Sequence, residues 1–164
     1  MKTPLYIKVH PVLKEFYKCL TGSDVIEVKP NDDFSTRIKT ILQLTPKNYN
    51  VRYPFGREDY ITLLLPGKFY LGRDKYIDTT SRNYLDDRRQ YFISQELYGM
   101  FKSIFHNYVL AYTRSGRQQK EGILDFCEVY NISMDKINFD MLKKSWDRSF
   151  EKKIYKKSIT DTVP

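Results

Sequence analysis

Apolar and polar positions alternate from Leu5 to Val9 around Lys8, a period of two that predicts a short strand. His10-Pro11 then opens a helix, since proline suits the first helical position. Leu13, Phe16, Tyr17 and Leu20 supply its buried stripe, and Thr21-Gly22-Ser23 stops it. Asp24 to Lys29 reads as a second strand with Val25, Ile26 and Val28 apolar, broken by Pro30. Asn31 or Asp32 can cap a helix over Phe34 to Leu44, whose inward face is Phe34, Ile38, Ile41 and Leu42. Residues 46–59 read as a loop. Tyr60 to Leu65 is the clearest strand. Pro66-Gly67 is a turn, Lys68 to Leu71 a returning hairpin arm, and Gly72 to Thr80 a polar loop.

The pattern then changes to a helical period. A long helix is predicted over 82–112, with Ile93, Leu97, Met100, Ile104 and Ala111 on one stripe and Phe101, Phe105, Tyr108 and Tyr112 on an adjacent one. Asp86 and Arg89 at its start are spaced to pair. Residues 113–119 are polar and suit a hinge. Beyond them Ile123, Phe126, Cys127 and Tyr130 mark a helix from Glu121 to Tyr130, ended by Asn131, which tolerates a left-handed turn. Ile132 then folds back into the corner. Asn138 is the expected N-cap of a second helix from Phe139 to about Ile154, buried through Phe139, Leu142, Trp146 and Phe150.

These elements predict an α+β fold. The N-terminal half holds four or five short strands and two helices. The C-terminal half is helical, with a long central helix and a helix-turn-helix-like pair. The expected organisation is an α+β domain over 1–113, a helical pair over 114–157 and a polar tail over 158–164.

Composition changes the picture in one respect. The 164 residues hold 28 Lys and Arg against 20 Asp and Glu, a formal charge of +8 that favours an acidic partner. Residues 114–157 carry 11 of those cations against 7 acids. On the second helix of the pair, Lys144, Arg148 and Lys152 stand one above the other opposite the apolar face, flanked by Lys143 and Lys153. Arg114 and Arg117 lie in the preceding hinge. Cations arranged in this way suit phosphates and guanine edges in a DNA groove. A surface helix of any basic protein also turns cations away from its core, and Asp147 and Glu151 interrupt this ridge.

Other chemistry is thinly represented. Glu27-Val28-Lys29 has the acid-x-Lys order of a metal-dependent nuclease strand, with Glu15 and Asp24 as upstream acids. His10 and His106 have no cysteine or acid at metal-ligand spacing, so neither a metal nor a cofactor is expected. Cys19 and Cys127 fall on apolar stripes and read as buried free thiols. The Tyr-rich stretch from Tyr49 to Tyr70 mixes rings with Arg52, Arg57 and Lys68, as a single-strand platform does. No apolar run reaches a membrane span, and no secretory leader is visible at Met1 to Val9.

The expectation is therefore a small basic, non-enzymatic nucleic-acid-binding protein, cytoplasmic or virion-associated, with DNA favoured and no membrane partner. Its Lys-, Asn-, Ile-, Tyr- and Phe-rich composition suits a phage or mobile-element regulator from an AT-rich genome. The alternatives are an assembly protein, homo-oligomeric or bound to other proteins through its surplus of 14 Tyr and 10 Phe, and a nuclease using Glu27 and Lys29.

Overall fold

The computed structural model describes residues 2–30, 32–49, 59–135 and 138–149. The fold is mixed α+β. Its elements run β1 (Thr3–Lys8), α1 (Pro11–Thr21), β2 (Val25–Glu27), α2 (Asp33–Ile41), β3 (Tyr60–Leu65), β4 (Lys68–Tyr70), β5 (Tyr76–Asp78), α3 (Asp87–Arg114) and α4 (Gln119–Val129). A further helix, α5, spans 138–149. The chain forms two compact units, Met1–Gly99 and Met100–Pro164, so the boundary falls inside α3.

In the first unit β3 is the central strand of a three-stranded sheet, antiparallel to β1 and parallel to β2. Period-two alternation sends Ile61, Leu63 and Leu65 to one face, and the register places Ile7, Leu5 and Thr3 of β1 opposite them. The parallel pair requires a crossover, which α2 and the chain after it supply. His10 caps α1 by accepting from the Val12 N–H, and Gly22 ends it at φ 72°. The Tyr17 hydroxyl donates to the Leu97 carbonyl at 2.8 Å, and burial raises the pKa of that phenol. Asp32 caps α2 by accepting from the Ser35 N–H.

Three expectations in this unit need correction. Lys68–Tyr70 does not return along β3. It pairs antiparallel with Tyr76–Asp78 in a separate two-stranded ribbon, because the polar segment after Tyr70 folds back on itself. Leu20 is exposed although it lies on the apolar face of α1, one turn past the buried Phe16 and Tyr17. Cys19 is exposed too: at about 100° per residue it sits roughly a quarter-turn from the centre of that face.

The long helix begins at Asp87, later than expected. The Asp86 carboxylate accepts from the Arg89 N–H at 2.9 Å, which is the N-cap bond, and also pairs with the Arg89 guanidinium. The cap bond and the nearby cation hold that carboxyl below its ordinary pKa. Residues 82–86 are not helical, and Tyr84 forms an isolated bridge with Gln43. The buried row of α3 is Ile93, Leu97, Phe101, Phe105 and Val109. Each step of four residues advances about 40° round the helix, so the row winds rather than running straight. Met100 and Ile104, expected inside, are left on the exposed side as the row turns away.

In the second unit Phe101 and Phe105 of α3 meet Phe126 of α4 edge to face, at 6.0 and 5.0 Å between ring centroids. Ile123, Cys127, Leu142 and Trp146 complete the core. Helix α4 ends as its sequence foretells. Asn131 takes φ 51°, its N–H reaches the Glu128 carbonyl at 3.2 Å, and the Ile132 N–H reaches that of Cys127 at 2.8 Å. These are the paired bonds of a Schellman motif, and the buried Ile132 side chain closes it.

Candidate nucleic-acid interface

The cap of α5 differs from expectation. The capping bond comes from Asp135 and not from the Asn138 side chain: the Asp135 carboxylate accepts from the Asn138 N–H at 2.7 Å. The Asn138 amide is buried and donates back to the Ser133 carbonyl at 2.9 Å, so it ties the connection to the helix instead of capping it.

Leu142, Ser145 and Trp146 form the buried face of α5. The face is held in register by His106 of α3, whose Nε2 lies 3.3 Å from the Ser145 hydroxyl and whose ring meets Trp146 edge to face at 5.8 Å. His106 thus packs α3 against α5. Opposite that face Lys143, Lys144 and Arg148 are all exposed. Among the described residues no carboxylate pairs with any of them. Asp147, which interrupts the ridge in sequence, is only half-exposed and accepts a hydrogen bond from the Gln119 amide at 3.2 Å. Lys152 and Lys153, together with Glu151 and Phe150, lie outside the described residues.

Arg114 and Arg117 flank the turn between α3 and α4. Arg114 is exposed in the last turn of α3, where a cation complements the helix dipole. Arg117 lies over the Tyr112 ring, 5.0 Å from its centroid, and donates to the Tyr112 hydroxyl at 3.0 Å. That hydrogen bond raises the pKa of Arg117 further. Tyr112 is itself pressed against α4: a Cβ on Gly122 would stand 3.1 Å from the Tyr112 Cβ. The five described cations therefore fall into two groups, one on α5 and one at the α3–α4 turn. Among the described residues no hydrogen bond or ion pair joins the groups.

The short, glycine-containing turn of a helix-turn-helix reader has its counterpart here between α3 and α4, where Gly116 takes φ 83°. The helix after that turn is acidic: α4 holds Lys120 against Glu121, Asp125 and Glu128. The basic helix is the next one in the chain, α5. The cations of α5 therefore do not lie on the helix that follows the short turn.

Several contacts that organise this unit carry no sequence signal. The Tyr108 hydroxyl donates to the Asp125 carboxylate, and that bond pushes its pKa up to about 12. The Gln119–Asp147 and His106–Ser145 pairs likewise join residues far apart in the chain.

Elsewhere, Glu27 on β2 is exposed and paired with Lys2, and Asp24 lies 3.6 Å from Lys18. Among the described residues no group of three or more His, Cys, Asp or Glu is placed to hold a metal ion. None of the described helices is long and apolar enough to cross a membrane. A shallow cleft in the first unit is lined by Leu42, Gln43, Leu44, Pro46, Arg82 and Tyr84. Comparison of the chain with protein-family models, curated proteins and solved structures finds no match.

Proposed function

We propose that this chain is a non-enzymatic nucleic-acid-binding protein, with duplex DNA the favoured partner and the exposed face of α5 its main contact. The reading rests on one observation: Lys143, Lys144 and Arg148 emerge together opposite the Leu142–Trp146 face, and no described carboxylate pairs with them. Arg114 and Arg117 would add phosphate contacts beside it. The net charge of +8 supplies long-range attraction to a polyanion. The test is a mobility-shift series at low salt with K143E/K144E/R148E. Duplex binding should fall by at least about a hundredfold, since three attractive contacts become repulsive. The melting temperature should stay within a few degrees of the parent, because exposed substitutions cost little. Unchanged affinity rules the ridge out.

A specific observation favours a second reading, an assembly role. Met100, Ile104, Leu124, Val129 and Met134 are all exposed in the second unit. Apolar side chains of this number suit contact with another protein. Sedimentation separates the readings: an oligomer that forms without nucleic acid, together with no mobility shift, favours assembly.

A further inference from the structure

The ribbon β4–β5 has two unlike faces. Phe69 points inward and is fully buried, while its neighbours Lys68 and Tyr70 are exposed. Tyr70 stands directly across the ladder from Tyr76, and their rings lie 6.3 Å apart, tilted by 56°. They are 63% and 51% exposed, so neither is needed to fill the core. The Lys68 ammonium lies 4.3 Å from the centre of the Tyr76 ring. Leu71 beside them is exposed as well. The tip is closed by the Leu71 N–H donating to the Lys75 carbonyl at 2.7 Å, and it presents Arg73, Asp74 and Lys75 to solvent.

Two exposed phenol rings on a two-stranded ribbon, with Lys68, Arg73 and Lys75 around them against Asp74 and Asp78, match one kind of occupant. Unpaired bases have flat faces that stack on aromatic side chains, and their phosphates need cations nearby. A base pair inside a duplex offers no free face to such a ring. Protein interfaces are depleted in lysine, and this patch holds two. We propose that the outer face of β4–β5 is a stacking platform for single-stranded nucleic acid. Tyr70 and Tyr76 carry bases, and Lys68, Arg73 and Lys75 carry phosphates. This site is separate from α5 and stands whether or not the duplex reading holds.

The test uses the full chain and three labelled probes read by fluorescence anisotropy: a short oligothymidylate, an oligouridylate and a duplex of equal length. Y70A/Y76A should weaken binding of the single strands by about 30-fold or more, from the ordinary worth of base–aromatic stacking. It should leave duplex binding and melting temperature near those of the parent. Y70F/Y76F keeps both rings and should bind as the parent does. K68E/R73E/K75E tests the same face without touching the rings and should also weaken single-strand binding. K143E/K144E/R148E should leave single-strand binding largely in place, so failure at one site is distinguishable from failure at the other. Preference between the two single-stranded probes identifies DNA or RNA as the source. Unchanged single-strand affinity in Y70A/Y76A overturns the proposal. So does an equal loss on duplex, or a change of oligomeric state with no change in nucleic-acid affinity.

Discussion

Single side chains decide much of the order in this chain. Thr79 is fully buried, and its hydroxyl lies within hydrogen-bond distance of the Pro66 carbonyl, the Gly67 carbonyl and the Thr3 hydroxyl. T79V keeps the shape and removes the hydroxyl, so the Pro66 carbonyl loses its partner. A loss of about 1–3 kcal/mol in urea unfolding is expected, while T79S should recover most of it. Tyr108 makes a pH prediction. Its phenol stays protonated up to about 12 in the folded chain, against 10.0 ordinarily, because it donates to Asp125. A group with a raised folded pKa stabilises fully below its unfolded pKa and loses that contribution as pH climbs through the folded one. The parent should therefore lose stability between pH 10 and about 12 more steeply than Y108F. The difference should be about 1 kcal/mol or less, because the pair is close to solvent. Equal slopes in denaturant titrations across that range would remove Tyr108 from the account.

At the scale of elements, legibility followed length and local chemistry. Tyr60–Leu65 is long enough for alternation to show, and its bounds agree with the structure. The end of α4 was also legible, since Asn131 is one of few residues that accept φ 51°. N131V should cost about 1–2 kcal/mol by forcing a branched side chain into that region, whereas N131G should be neutral or slightly stabilising; thermal melts compare them. The β4–β5 pairing was not legible, because three-residue strands are too short to display a period. The winding row of α3 was misread as two parallel stripes, since a period cannot say where one packing partner gives way to another. The cap of α5 was misplaced because Asp135 and Asn138 are both good caps, and only the buried amide bond to Ser133 distinguishes them. Of the candidate site, the exposure of Lys143, Lys144 and Arg148 was readable from the apolar face behind them. The bond that draws Asp147 toward Gln119 was not, because it joins different helices.

For the whole molecule the governing quantity is charge. A chain of formal charge +8 is attracted to any polyanion at low salt, so affinity at a single salt concentration says little. The slope of affinity against salt is more informative. Removing three phosphate contacts should flatten that slope on duplex DNA by about 2.7, at roughly 0.9 per contact. A triple variant that weakens binding with the slope intact would point to misfolding or to base contacts. Low ionic strength will exaggerate every surface attraction, which makes moderate salt the more discriminating condition.

The ladder that sets Tyr70 against Tyr76 also makes the length of the tip a constraint. Side chains along a strand change sides at every residue, so one added or deleted residue within 72–75 that slipped β5 along β4 would turn Tyr76 toward the interior and part it from Tyr70. Natural variants of the tip should therefore keep its residue number.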